Sequence, residues 1–322
     1  MTANIIPWRR WSIFMVLAAP IFLLAVLNPV FRQPGNLFNL WQQSSIIGIL
    51  AVGQTMVIIL GGFDLSVGAV AALAGVVCFL GFGLEDGYIG VLAGLISALT
   101  VCALVGLVNG ALITKLKMTP LIATLGVLSL ARGAVLVVSD GQAIYAEEGA
   151  GYEFANFLQS SFARMPVSGL LFLAVAAIGL VLLRLTIYGQ FVYAVGGNEK
   201  AATLAGIPVS KIKLITYCFC SVAAGLGGIV LASRTASALP NAGVNYELQA
   251  ITAVVIGGAK LSGGKGSVLG TVLGVFLLAA IGNALNLYNI SPFWQTGVTG
   301  AILILAVSIS LLTGEDDRLR KA

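Results

Sequence analysis

Apolar runs bounded by polar or turn residues recur along the whole chain, and at about 20 residues per helical crossing they predict ten spans. These cover about 12–28, 44–60, 65–82, 88–113, 119–138, 167–185, 212–232, 247–259, 266–285 and 293–312. The eighth run is short, because roughly 17–25 residues are usual for a crossing. It is expected to borrow from its flanks or to be broken.

Composition identifies the solvent. Of 322 residues, 59% are hydrophobic and 9% charged, and mean hydropathy is +1.03. A soluble domain is roughly 45–50% apolar and about 25% charged. The fold class expected is therefore an all-α polytopic membrane protein, with residues 1–322 forming a single transmembrane domain. Ten spans leave no room for a soluble domain of ordinary size.

Charge sets the orientation. With the N-terminus in the cytoplasm, Arg9, Arg10, Lys115, Lys117, Arg184, Lys200, Lys211, Lys213, Lys260, Lys265, Arg318, Arg320 and Lys321 fall inside, 13 of the 17 basic residues. Arg32, Arg164 and Arg234 fall outside, and Arg132 lies within the fifth span, near enough to its outer end to snorkel. Outer loops carry Glu85, Asp86, Asp140, Glu147, Glu148, Glu153 and Glu247. This is the positive-inside pattern, with both termini cytoplasmic and an even number of spans. Trp8 and Trp11, flanking Arg9 and Arg10, are expected at headgroup level. The same stretch also has the form of a signal peptide, but an uncleaved first span suits a chain that is polytopic throughout. The long outer loop at 139–165 is acidic and aromatic, and reads either as a solvated loop or as a docking surface.

Candidate chemistry is sparse. Histidine is absent, which removes the usual general base and metal ligand. The four cysteines, Cys78, Cys102, Cys218 and Cys220, lie in apolar segments without metal-ligand spacing. No metal or cofactor is expected, and neither is catalysis or a nucleic-acid partner. The phosphate-binding pattern G-x-x-x-x-G-K-[ST] is missing, the run at 257–266 having the wrong spacing.

Two features stand out against the apolar background. The loop between the sixth and seventh spans predicts a cytoplasmic helix over 198–208. Asn198 is a good N-cap, Glu199 favours the positive end of the helix dipole, and Lys200, Ala201, Ala202 and Leu204 are good helix formers. Gly206 suits the position just past the end, and Pro208 stops continuation. A helix this short is marginal in water, so a packing partner is expected. The second feature is the run G-G-F-D-L-S-V-G at 61–68, which sets Asp64 inside a greasy, glycine-punctuated stretch. Gly61, Gly62 and Gly68 permit irregular backbone, while Ser66 can help satisfy free amides. Three readings of Asp64 stand: a cap on the third span, a polar group of a gate, or a proton-carrying or substrate-contacting carboxylate. The run G-G-A-K-L-S-G-G at 257–264 matches 61–68 in five of eight positions. This suggests a weak internal repeat, with Gly257, Gly258, Ser262, Gly263 and Gly264 forming a second helix break.

These motifs carry a resemblance. N-E-x-A-A-x-x-x-G-I at 198–207 resembles the cytoplasmic coupling motif of bacterial ABC-transporter permeases. The runs at 61–69, 246–271 and 285–295 resemble those of permeases of the ribose/arabinose/xylose importer family, in the same order and over nearly the whole chain. One departure is Gln249, where the family often has Asp. The resemblance implies the permease subunit of an ATP-driven importer, moving a monosaccharide or related neutral polyol across the bacterial inner membrane. It implies a cytoplasmic ATPase that docks at 198–206, a periplasmic sugar-binding protein, and a second permease copy, identical or related. Ribose, arabinose, xylose and galactose remain open as substrates. The rival reading is a self-sufficient ion-coupled transporter using Asp64. It leaves the capped helix without a purpose.

Overall fold

The structure, a computed structural model, describes residues 28–84, 87–146 and 148–312, with 18–19, 21–22 and 25–26. Most of the first predicted span lies outside the described residues, as do Trp8, Arg9, Arg10, Trp11, Glu85, Asp86, Glu147, Arg318, Arg320 and Lys321.

Twelve α-helices occur among the described residues: α1 (Pro34–Ile59), α2 (Val67–Phe82), α3 (Gly87–Thr114), α4 (Pro120–Val138), α5 (Ala150–Gln159), α6 (Val167–Leu185), α7 (Ile187–Gly197), α8 (Glu199–Leu204), α9 (Val209–Arg234), α10 (Tyr246–Ile256), α11 (Val268–Leu287) and α12 (Pro292–Leu312). Six of them, α1, α3, α4, α6, α9 and α11, are long and apolar enough to cross a membrane, and α2, α10 and most of α12 are shorter apolar helices. The chain is thus a multi-pass membrane protein.

Helix α1 begins at Pro34, well ahead of the predicted residue 44. Its first turns are polar in sequence, which hid them. In the fold those polar groups are used internally. Asn36 exchanges amide hydrogen bonds with Asn283 on α11 at 2.9 and 2.7 Å, Gln42 donates to the Gln159 carbonyl, and Ser44 and Ser45 bond back to the preceding turn. The rest of α1 is buried on every side, as is most of α2, and α9 packs against both. Small residues let these backbones approach, as helix association in lipid requires. An added Cβ at Gly53 would stand 2.9 Å from the Cys220 Cα, and one at Gly110 2.8 Å from the Leu214 Cα. Leu130, Val137 and Ile304 lie exposed on outer helices, where lipid suits them.

The short eighth run is an 11-residue helix, α10, preceded by irregular chain. At 1.5 Å per residue, the 11 residues of α10 reach about 16 Å, about half of a hydrocarbon core of ~30 Å. Ahead of it runs the irregular segment 235–245, whose strand β4 (Ser237–Ala238) pairs antiparallel with β1 (Ile144–Tyr145). Non-helical backbone within such a bundle needs its polar groups satisfied by protein. Arg132 supplies this by donating through Nη1 to the carbonyls of Pro240 at 2.6 Å and Ala242 at 2.9 Å. Its guanidinium is committed to the irregular segment. The loop at 139–165 is likewise no simple solvated loop. It contains α5, which buries Ala155 and Leu158, and a hairpin of β2 (Ser161–Phe162) with β3 (Met165–Pro166).

The ends of the bundle differ in charge. The Ile59 carbonyl at the end of α1 accepts from the Gly264 amide at 2.8 Å, and the Tyr193 hydroxyl of α7 donates to the Gly266 carbonyl. The end of α3 lies beside the start of α9. Lys115, Lys117, Lys200, Lys211, Lys213, Lys260 and Lys265 therefore share one end. Asp140, Glu148, Glu153 and Arg164 belong to the other, with β1 and α5.

Candidate functional site: a glycine junction between two helix breaks and a short helix

Three helices at the basic end stop in the same way. After α1, Gly61 takes φ +88°; its amide bonds the Ile58 carbonyl, and the Gly62 amide bonds that of Val57, both at 2.9 Å. After α10, Gly258 takes φ +86°, with its amide on Val255 and that of Ala259 on Val254. After α8, Gly206 takes φ +81°, with its amide on Thr203 and that of Ile207 on Ala202. Each is a Schellman ending, in which a left-handed residue returns the chain onto the last turn and satisfies two orphan carbonyls.

The two breaks thus begin alike, but in a register that corrects the sequence alignment. Matching the runs pairs Gly61 with Gly257, whereas the backbone pairs it with Gly258. Beyond that point they diverge. The second break is longer, turning through Gly263 and Gly264 at φ +86° and +74° before Ser267 caps α11. Gly68 is also corrected: it lies within α2, where its missing side chain admits the Gly243 carbonyl and the Glu247 carboxylate.

Helix α8 is shorter than the predicted 198–208. Its six residues, Glu199–Leu204, are capped by Asn198, whose Oδ1 accepts from the Ala201 amide at 3.1 Å. Glu199 pairs with Lys213 on α9 at 2.7 Å. With Glu199 more than half exposed, that pair contributes at most about 1 kcal/mol. Ala202 faces inward, while Leu204 is 91% exposed. Sequence reasoning missed α7, which Thr186 opens by accepting from the Gly189 amide, and with it Gly196 and Gly197. The glycine pair just before Asn198 was the available signal.

Those two glycines join the parts. A Cβ on Gly196 would run into the Ile59 carbonyl and stand 2.8 Å from the Gly264 amide nitrogen. A Cβ on Gly263 would stand 2.8 Å from both the Gly61 Cα and the Gly196 oxygen, and one on Gly264 would stand 2.8 Å from the Gly197 Cα. Real Cβ atoms do not approach so closely, so three backbones touch here because none carries a side chain. The sequence-predicted breaks and the short helix, far apart in the chain, therefore meet at one point.

Asp64 sits just beyond the junction, fully buried. Its Oδ1 accepts from the Ser66 amide at 2.9 Å and the Ser66 hydroxyl at 2.6 Å. Asn109 of α3 donates to that hydroxyl at 2.9 Å, and the Leu65 amide donates to Thr124 of α4. Gln54 of α1, its amide assigned by hydrogen-bond geometry, donates to the Asp64 carbonyl and accepts from the Asp64 amide, both at 3.2 Å. The Tyr217 hydroxyl of α9 donates to the Phe63 carbonyl. The carboxylate shapes the turn ahead of α2 and does not cap the helix, whose N-cap is Ser66. Four helices are pinned to the first break by this network.

The fold defines a multi-pass membrane protein with an exposed capped helix at its basic end, and sequence comparison identifies its class. Residues 36–307 match the family model described as "Branched-chain amino acid transport system / permease component", and the chain belongs to that family. It is 41% identical to the ribose import permease protein RbsC of Bacillus subtilis (strain 168) over 91% of this chain and 90% of the relative. It is 38% identical to the L-arabinose transport system permease protein AraH of Escherichia coli (strain K12), over 93% and 90%, and 33% identical to the D-allose transport system permease protein AlsC of the same organism, over 95% and 92%. No solved structure matches the chain.

The left-handed end of α8 makes a local prediction. Gly206→Ala should cost about 1–2 kcal/mol, because an L-residue is strained at positive φ. Amide exchange at 199–204 should quicken while α9 exchanges as before, which hydrogen-exchange mass spectrometry would measure.

Proposed function

We propose that this chain is the transmembrane permease subunit of an ATP-driven importer that carries a monosaccharide across the bacterial inner membrane. Family membership and relatives named for ribose, L-arabinose and D-allose support this reading. ATP hydrolysis then belongs to a separate cytoplasmic subunit, and a periplasmic binding protein delivers the sugar. Residues 1–322 act as one transmembrane unit of about ten spans with both termini cytoplasmic, working beside a second permease copy. The segregation of lysines to one end supports that orientation.

The observation that carries the mechanism is the junction. The ATPase grips α8 through Asn198–Gly206, with the exposed Leu204 as anchor. Because Gly196 and Gly197 lead into α8 and touch both breaks, displacement of α8 shifts the ends of α1 and α10 together. The network around Asp64 holds the first break to α3, α4 and α9, so the shift reaches the rest of the bundle. Asp64 itself positions this turn. Its bonds to Ser66, with protein on all sides, favour that role over ion coupling.

Uptake in proteoliposomes tests the proposal. The permease, with its ATPase and binding protein, should accumulate labelled D-ribose, L-arabinose or D-allose only with ATP inside the ATPase compartment. Accumulation by the permease alone, driven by a proton gradient, would contradict it.

A further inference from the structure

At the end opposite the junction, a cavity of about 220 Å³ opens between α1, α10, α11 and α12. That is well above the roughly 10–15 Å³ that a single water needs. Its wall carries the amides of Gln43, Gln249 and Gln295, the Tyr246 ring, and Arg234 as its one charged side chain. Tyr246 and Gln249 belong to the first turns of α10, so the cavity lies against the start of that helix.

The amides are available. Among the described residues, the side chains of Gln43 and Gln249 have no hydrogen-bond partner, while Gln295 donates to Asn286 and keeps its oxygen free. Gln43 Nε2 and Gln295 Oε1 both lie 3.9 Å from where a Cβ of Gly282 would be. A Cβ there would make ordinary van der Waals contact with both amides, and a larger side chain would press on them. Each amide offers both donors and an acceptor, which matches hydroxyls that both give and take hydrogen bonds. The rest of the wall combines aliphatic side chains with Ser44, Thr296 and Thr299, and small-molecule sites are likewise mostly apolar with a few placed polar groups. Among the described residues, the wall holds no carboxylate. An amino-acid zwitterion would bring an ammonium group here without a counter-charge, and burying an unpaired charge is expensive.

We propose that this cavity is where the permease holds its substrate in transit, that the ligand is a neutral polyhydroxylated ring, and that Gln249 and Gly282 determine which one passes. This rests on the sugar-import reading. The test is sugar moved per ATP hydrolysed in the reconstituted importer, with labelled D-ribose, L-arabinose, D-allose and L-leucine as probes. Gln249→Leu keeps volume and removes the amide. Gly282→Val presses a larger side chain on the amides of Gln43 and Gln295 without removing a hydrogen-bonding group. Each should lower sugar moved per ATP at least tenfold, Gln249→Asn should recover part of it, and the lipid-facing control Leu92→Ala should change nothing. Wild-type sugar uptake with both variants within twofold of it would overturn the cavity assignment and leave the importer reading standing. Uptake of leucine with none of the three sugars would overturn both.

Discussion

Replacing Gly196 with valine is expected to abolish ATP-driven uptake. The Cβ would overlap the Ile59 carbonyl, and the extra methyls would drive into the Gly264 amide, the partner of that same carbonyl. Backbone cannot yield as a flexible side chain can, so α7 must move away from both helix breaks. Overpacking at a tight contact typically costs 1–3 kcal/mol, and occasionally more. The permease should still assemble, because α1 and α9 pack independently of this point, but α8 would no longer be in register with the breaks. Uptake should fall at least tenfold while the ATPase subunit still co-purifies. Gly197→Ala should be milder, since its own Cβ position is open. Equal uptake by Gly196→Val and wild type would remove the junction from the mechanism.

The second large effect concerns Asp64. Asp64→Ala leaves the Ser66 amide and hydroxyl without their acceptor in a fully buried site. Each stranded donor costs about 1–3 kcal/mol, so the loss should be about 2–6 kcal/mol and visible as a clear fall in the midpoint of thermal unfolding in detergent. Asp64→Asn keeps an oxygen for Ser66 and should lose much less. It should also keep most ATP-driven uptake. Loss of uptake in Asp64→Asn with unchanged thermal stability would assign the carboxylate a proton-carrying role.

Much of the bundle was legible because apolar runs in lipid have few alternatives to helix. Spans read from apolarity alone, such as 88–113 and 167–185, fall close to Gly87–Thr114 and Val167–Leu185. The reading failed where polar residues are satisfied internally. The first turns of α1 look soluble until Asn283 and Gln159 are beside them. Arg132 has no visible partner until the carbonyls of Pro240 and Ala242 arrive from more than a hundred residues away. Both ends of α8 were readable because caps are local chemistry, carried by Asn198 and Gly206 within one turn. The junction was not, since its contacts join residues 59–61, 196–197 and 263–264. A glycine in sequence does not say which backbone it admits.

If α8 links an ATPase to the helix breaks, Leu204 is the residue whose loss should uncouple them. At 91% exposure it contributes little to this chain's own packing. Leu204→Glu should therefore leave the yield and thermal unfolding of the isolated permease unchanged. Co-purification of the ATPase subunit should be lost, and ATP-driven uptake should drop to background. A Leu204→Glu permease that still retains its ATPase and transports sugar at the wild-type rate would contradict the account.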